Sequence, residues 1–230
     1  MTRTEAGPAR GLLQTAPVPG QHRRLMPSPD LACFVEHFWL VSWELGDAAP
    51  RIVETLPHPS VHIVFERGKA GEVAGIHQGR FTRILAGNGD VFGTKFRPGG
   101  FYPFWRAPIA SLVDQRVPVA DAFGSTGAAF AQAIESETSD ERRMQLTEQF
   151  LRATLPAPDD NIALIERIVT RVIADHSIAK VEQLTELFGV NVRALQRLFQ
   201  RYVGIGPKWL IQRYRLHEAL EQLKRADSPN

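Results

Sequence analysis

The sequence predicts an α+β protein, with an N-terminal antiparallel β-sandwich or small barrel, flanking helices and an all-α C-terminal domain. Three observations predict it. Residues 31–106 hold short runs rich in aromatic and β-branched residues, each bounded by Gly, Asn, Asp or Pro. Further on, apolar residues recur at the spacing of helices. Between the helices expected at 140–155 and 161–176 lies "PAPDD" (156–160), a stiff break between domains. The expected division is a lead-in at 1–24, a β-rich domain with C-terminal helices at 25–155, a linker at 156–160 and a helical domain at 161–230.

The elements follow in order. "MTRTEAGPARGLLQTAPVPGQHRR" is rich in Gly, Pro and Arg, lacks the apolar centre of a signal peptide and reads as a flexible lead-in. "FVEHFWLVSWEL" (34–45) reads as a strand. "VHIVFE" (61–66) sets His62, Val64 and Glu66 against Val61, Ile63 and Phe65. "RFTRILAG" (80–87) and "DVFGTKFRP" (90–98) complete the strands. "PIASLVDQ" (108–115) suits a short helix, and 127–137 and 140–155 longer ones, the last N-capped by Ser139. Helices are expected at 161–176, at 180–189 ending on Gly189, from Asn191 as N-cap to about Val203, and at 208–224 behind Pro207.

The charge distribution is informative where the total is not. The formal net charge is only +2. From Leu187 to His217, however, the chain has no Asp or Glu against six basic residues. Within this segment Leu195, Leu198, Phe199 and Tyr202 form one apolar stripe of a helix. The opposite face shows Arg193, Gln196, Arg197, Gln200 and Arg201. Two short helices joined at Gly189 have the form of a helix-turn-helix. In DNA readers the second helix enters the major groove, where Arg pairs with guanine and Gln with adenine. Arg193, Gln196 and Arg197 would then face bases, with Gln200 and Arg201 nearer phosphates. The plain alternative is the solvated face of a bundle.

"GVNVRALQRLFQRYVGIGPKWLIQRYRLHEAL" resembles the first helix-turn-helix and linker helix of AraC/XylS-type bacterial transcription regulators. Gly189, Leu195, Arg197, Phe199, Gly204, Pro207, Arg215 and Leu216 carry the resemblance. Asn191 stands where the family favours Ser, and Gly206 replaces a second Ser. The resemblance implies binding to double-stranded DNA, contact with RNA polymerase and, for many regulators of this class, a homodimer. Family members carry a second helix-turn-helix after the linker helix. With Asn230 just past it, a longer protein or half a reader is implied. "FVEHFWLVSW…ETLPHPSVHIVF…VFGTKFRPGGFYPF" is similar to one subgroup's N-terminal regulatory domain. His58-Pro59-Ser60 stands in place of its Asp-Gly turn.

A small-molecule effector is the expected signal. The aromatics around "FRPGGFYPFW" suggest a pocket from Trp39, Phe96, Arg97, Tyr102 and Trp105, although Phe96, Phe101 and Phe104 also suit a core. His58, His62 and Glu66 invite a metal reading, weakened by Pro59 and by the missing His-x-His pair. No cofactor and no catalytic constellation is expected, since neither G-x-S-x-G, a phosphate loop nor H-E-x-x-H occurs. Cys33, the single cysteine, excludes an intramolecular disulfide and the four-cysteine zinc site of a methyl-accepting repair regulator. It favours a reducing, cytoplasmic setting. No run reaches the roughly 20 apolar residues of a membrane span. The competing reading is a cupin-like small-molecule- or metal-binding protein whose helical tail mediates association.

Overall fold

A computed structural model describes residues 4–7, 11, 13 and 19–226. The strands are β1 (Gly20–Leu25), β2 (Val35–Glu44), β3 (Arg51–Thr55), β4 (His62–Glu66), β5 (Glu72–Ala74), β6 (Phe81–Leu85), β7 (Asn88–Phe96) and β8 (Arg116–Pro118). The helices are α1 (Tyr102–Trp105), α2 (Val119–Glu135), α3 (Asp140–Ala153), α4 (Asp160–Ala174), α5 (Val181–Phe188), α6 (Val192–Tyr202) and α7 (Pro207–Ala226). The architecture is α+β. Among the described residues the strands form a six-stranded antiparallel sheet, β1-β2-β7-β4-β5-β8, and a separate ribbon, β3-β6. The expected barrel is not formed, because β3 and β6 pair only with each other and leave the sheet open.

The lead-in is shorter than expected. β1 pairs along its whole length with β2, Gly20 opposite Trp43 and Leu25 opposite Phe38. Its polar sequence hid it, since β1 is an edge strand with only Leu25 buried. Glu5 bridges to Leu25, and Leu13 N–H donates to the Glu54 carbonyl. The rest of the expected lead-in, residues 1–3, 8–10, 12 and 14–18, lies outside the described residues.

Period-two alternation gives the large sheet two faces. Phe38, Leu40, Ile63, Phe65, Val73, Phe92 and Phe96 are buried on one. Phe65 meets Phe130 of α2 edge to face at 5.4 Å, and Phe130 stacks on Phe150 of α3 at 4.2 Å. The other face carries Trp39, Val41 and Trp43 of β2, His62 and Val64 of β4, and Gly89, Val91, Gly93 and Lys95 of β7. The ribbon lies against it through Val53 and Leu85, which pack with Trp43, Val64 and Val91.

The expected short helix at 108–115 is a 3₁₀ turn, Ile109–Leu112. Helix caps match their sequence signals. Ser139 accepts from Arg142 N–H, Asn191 accepts from Ala194 N–H, and Gly189 ends α5 at φ 63°. One buried core runs across the 156–160 break. Phe96, Phe101 and Ile109 from the first half belong to the same packed cluster as Ile165, Leu195, Phe199 and Leu210 from the second. Gly204, at φ 92°, comes so close to Ile109 that an added Cβ would sit 2.9 Å from its Cγ2.

Candidate functional site

Two features stand out, a cavity on the open face of the sheet and the outer face of α6. The cavity holds about 1200 Å³, generous for a small-molecule site. Its floor is the large sheet, and the ribbon lines it through Val53, Phe81, Arg83 and Leu85. Further walls come from the helical half, from Ile162, Val169 and Ile173 of α4 and Tyr214 of α7.

The floor is built from paired residues. Trp39 stands opposite Gly93 and Trp43 opposite Gly89. A Cβ on Gly93 would fall 2.0 Å from the Trp39 indole, and one on Gly89 2.3 Å from that of Trp43. The two glycines therefore let both indoles lie down on β7. The guanidinium of Arg83 covers Trp43 at 5.6 Å from the ring.

Beside this apolar floor lies a polar end. Lys95 is buried, and its ammonium donates to Glu36 Oε1 at 2.9 Å. Burial alone would raise the Glu36 carboxyl, but the charge of Lys95 and a bond from His37 outweigh it and hold it far below the usual carboxylate range. Burial pulls the Lys95 ammonium down, against the pull of Glu36. His62 sits directly across from Lys95 in the sheet. Its Nδ1 accepts from Trp39 Nε1–H at 3.1 Å. Burial, reinforced by the charge of Lys95, lowers its pKa to about 3. His58 and His217 stack with centroids 4.1 Å apart and planes 12° apart. Burial lowers them to about 2 and about 4. Burial, then the nearby Glu36 charge, raises the phenol of Tyr214.

The expected pocket residues divide. Trp39 and Arg97 line the cavity. Phe96 points to the opposite face of the sheet and is fully buried among Phe101 and Phe104. Tyr102 and Trp105 lie on α1, away from the cavity, where Tyr102 meets Tyr202 at 4.0 Å and Trp105 stacks on Phe101 at 6.4 Å. The aromatic run is thus mainly core, and its clustering in sequence reflects the tight Pro-Gly-Gly turn. His58, His62 and Glu66 are not brought together as metal ligands. His58 turns to His217, His62 to Trp39, and Glu66 to Arg83 and Lys69. Among the described residues no group of three or more His, Cys, Asp or Glu has a metal-holding arrangement. Lys95, Glu36, Tyr214 and His217 went unnoticed in the sequence. The one available signal was Lys95 in a strand, alternating with buried Thr94 and Phe96.

On α6, Leu195, Phe199 and Tyr202 are buried, while Arg193, Gln196, Arg197, Gln200 and Arg201 are exposed. Among the described residues Arg193, Gln196, Arg197 and Gln200 have no hydrogen-bond or ion-pair partner. Their spacing, i, i+3, i+4 and i+7, lines them along one face. Arg201 is held to one side. Its Nε donates to Tyr102 Oη at 2.5 Å, and its guanidinium lies 5.3 Å from that ring. Tyr202 donates to Asp159 Oδ2 at 2.7 Å, fixing the end of α6 to the start of α4. α7 reaches the first half through Arg213, which donates to the carbonyls of Pro57, at 3.2 Å, and Gln78.

Among the described residues no helix is long and apolar enough to cross a membrane. No curated protein and no solved structure matches the chain. Residues 23–118 match the model of a domain of unknown function, DUF6597, a span that runs from within β1 to the end of β8 and so takes in the cavity floor and the ribbon.

Proposed function

We propose that the chain is a sequence-specific DNA-binding transcription regulator of the AraC type, cytoplasmic, with the cavity as the seat of a small-molecule effector. The observation that carries this reading is the face of α6. Two arginines and two glutamines project from a helix whose other side is anchored in the core, and none is tied to a neighbour. A structural surface of this kind would ordinarily carry acids that offset the arginines. Arg193, Gln196 and Arg197 read base edges, Gln200 lies nearer phosphate, and Arg201 reaches phosphate only by leaving Tyr102.

The cavity supports regulation by effector. A ligand filling it touches α4 and α7, and these helices share one core with α6. Any ligand that fits one arrangement of these helices better than another shifts the presentation of α6, and DNA reciprocally shifts ligand affinity.

Binding of the whole protein to its own upstream DNA, measured at two salt concentrations, tests the reading. Affinity should fall steeply with salt. Arg197→Ala should cost about 1–3 kcal/mol on the preferred sequence and relax preference at one base pair. Salt-insensitive or absent binding would sink the proposal. An equal loss on all sequences would reassign Arg197 to phosphate. The cavity's size also favours a second reading, a small-molecule-binding protein whose helices serve only as walls and association surface. Effector binding without any DNA binding would select it.

A further inference from the structure

We propose that the cavity takes a planar aromatic ligand with a carbonyl or carboxylate oxygen at one end, its ring on Trp39 and its oxygen on Lys95 and His62. This deepens the effector reading above and rests on the cavity being the sensing site.

The ring position follows from the floor. Of the two indoles laid over glycines, Trp43 is capped by Arg83. Among the described residues no ring or cation stacks over Trp39, and His62 meets it only edge-on, at 71°. Trp39 is therefore an open aromatic face within a cavity that is also lined by Val41, Val53 and Val64. Flat rings gain most on such a face.

The polar end follows from counting donors. An ammonium has three N–H donors. Lys95, whose side chain is 7% exposed, uses one of them on Glu36. The indole N–H of Trp39 only donates, so His62 Nδ1 is the acceptor and the neutral ring carries its proton on Nε2. Lys95 and His62 thus hold spare donors side by side on adjacent strands. Glu36 Oε1, by contrast, already faces Lys95 and His37. A ligand oxygen satisfies these donors, whereas a ligand cation on Glu36 would sit beside the Lys95 ammonium, itself 2.9 Å from that carboxylate, and be repelled by it. Gly93, under Trp39, and Lys95 are two residues apart on β7, a separation of about 7 Å along a strand. One substituted aromatic ring spans that length.

The test uses the purified full chain and three naphthalene probes: 2-naphthoate, 2-acetylnaphthalene and 2-naphthylmethylammonium. Calorimetry should show one or both oxygen-bearing probes binding at least tenfold more tightly than the amine. The better of the two tells carboxylate from carbonyl. Trp39→Ala should weaken the oxygen-bearing probe tenfold or more. Glu36→Gln/Lys95→Met, which removes the ion pair without stranding a buried charge, should do the same. Equal affinity for all three probes, no binding by any, or full affinity in the double variant would overturn the proposal. DNA binding by each protein without probe is recorded alongside. A loss of DNA binding with probe selectivity intact counts against the regulator reading alone. Probe failure with DNA binding intact counts against the ligand class alone.

Discussion

Phe199→Ala is expected to lower stability by about 3–5 kcal/mol, the range for removing a fully buried aromatic ring. Phe199 has no exposed surface, and its neighbours on the stripe, Leu195 and Tyr202, are also buried. The loss should not be confined to α6. Because Phe199 shares a packed cluster with Phe96, Phe101 and Ile109, the whole chain should weaken together. Urea unfolding followed by far-ultraviolet circular dichroism, with hydrogen exchange read at β2 and α6, checks this. A single shifted transition with both elements losing protection is the expected result. Melting of α6 with β2 unchanged would show that the cluster does not transmit the loss.

Mild acid is expected to destabilise the protein strongly. His58, His62 and His217 have folded pKa values of about 2, about 3 and about 4. In the unfolded chain each takes up its proton near pH 6.5. Below that pH the unfolded state binds more protons, so stability falls as pH drops from 6.5 towards 4. Each group contributes at most about 1.4 kcal/mol per pH unit. Three such groups give an upper bound of about 4 kcal/mol per unit, which the partial exposure of His58 and His62 lowers. Glu36, held far down beside Lys95, adds its own loss below the ordinary carboxylate range. Urea midpoints at pH 7.5, 6 and 5 should fall in that order. His58→Gln/His217→Gln should flatten the trend. Equal midpoints at pH 7.5 and 5 would contradict the burial of these rings.

Much of the framework was legible in the residues. Strands β2, β4 and β7 were readable because both of their faces are occupied, so that hydrophobic runs end abruptly at turn residues, whereas β6, with Ile84 67% exposed, was readable from its Phe, Thr and Ile between Gly79 and Gly87. The helix ends at Ser139, Gly189 and Asn191 were readable because capping depends on a single side chain or a positive φ. Strands β1 and β3 were not. β1 is a polar edge strand, and β3 in its ribbon shows Ile52, 56% exposed, to solvent and Val53 to the cavity. Neither offers the one-sided pattern that sequence reading relies on. The exposed face of α6 was fully visible, since one helix supplies all of it. The cavity was not, since Trp39, His62, Lys95 and Tyr214 come from four separate elements. Pairings such as Trp39 with Gly93 exist only once the register is set. Aromatic density misled for the same reason. The 96–105 run is dense because it turns back into the core, while the open indole came from elsewhere.

The core that crosses residues 156–160 bears on how such a protein can be altered by recombination. A module that folds apart can be cut at its linker and joined to another. Here a cut at that point would bare Phe96, Phe101 and Ile109 on one fragment and Ile165, Leu195 and Phe199 on the other. Each fragment would then present a greasy seam prone to clumping. Exchange of the helical half for a foreign one would demand that the newcomer match this seam, including the close approach of Gly204 to Ile109. The two halves are therefore expected to have been inherited as a fitted pair.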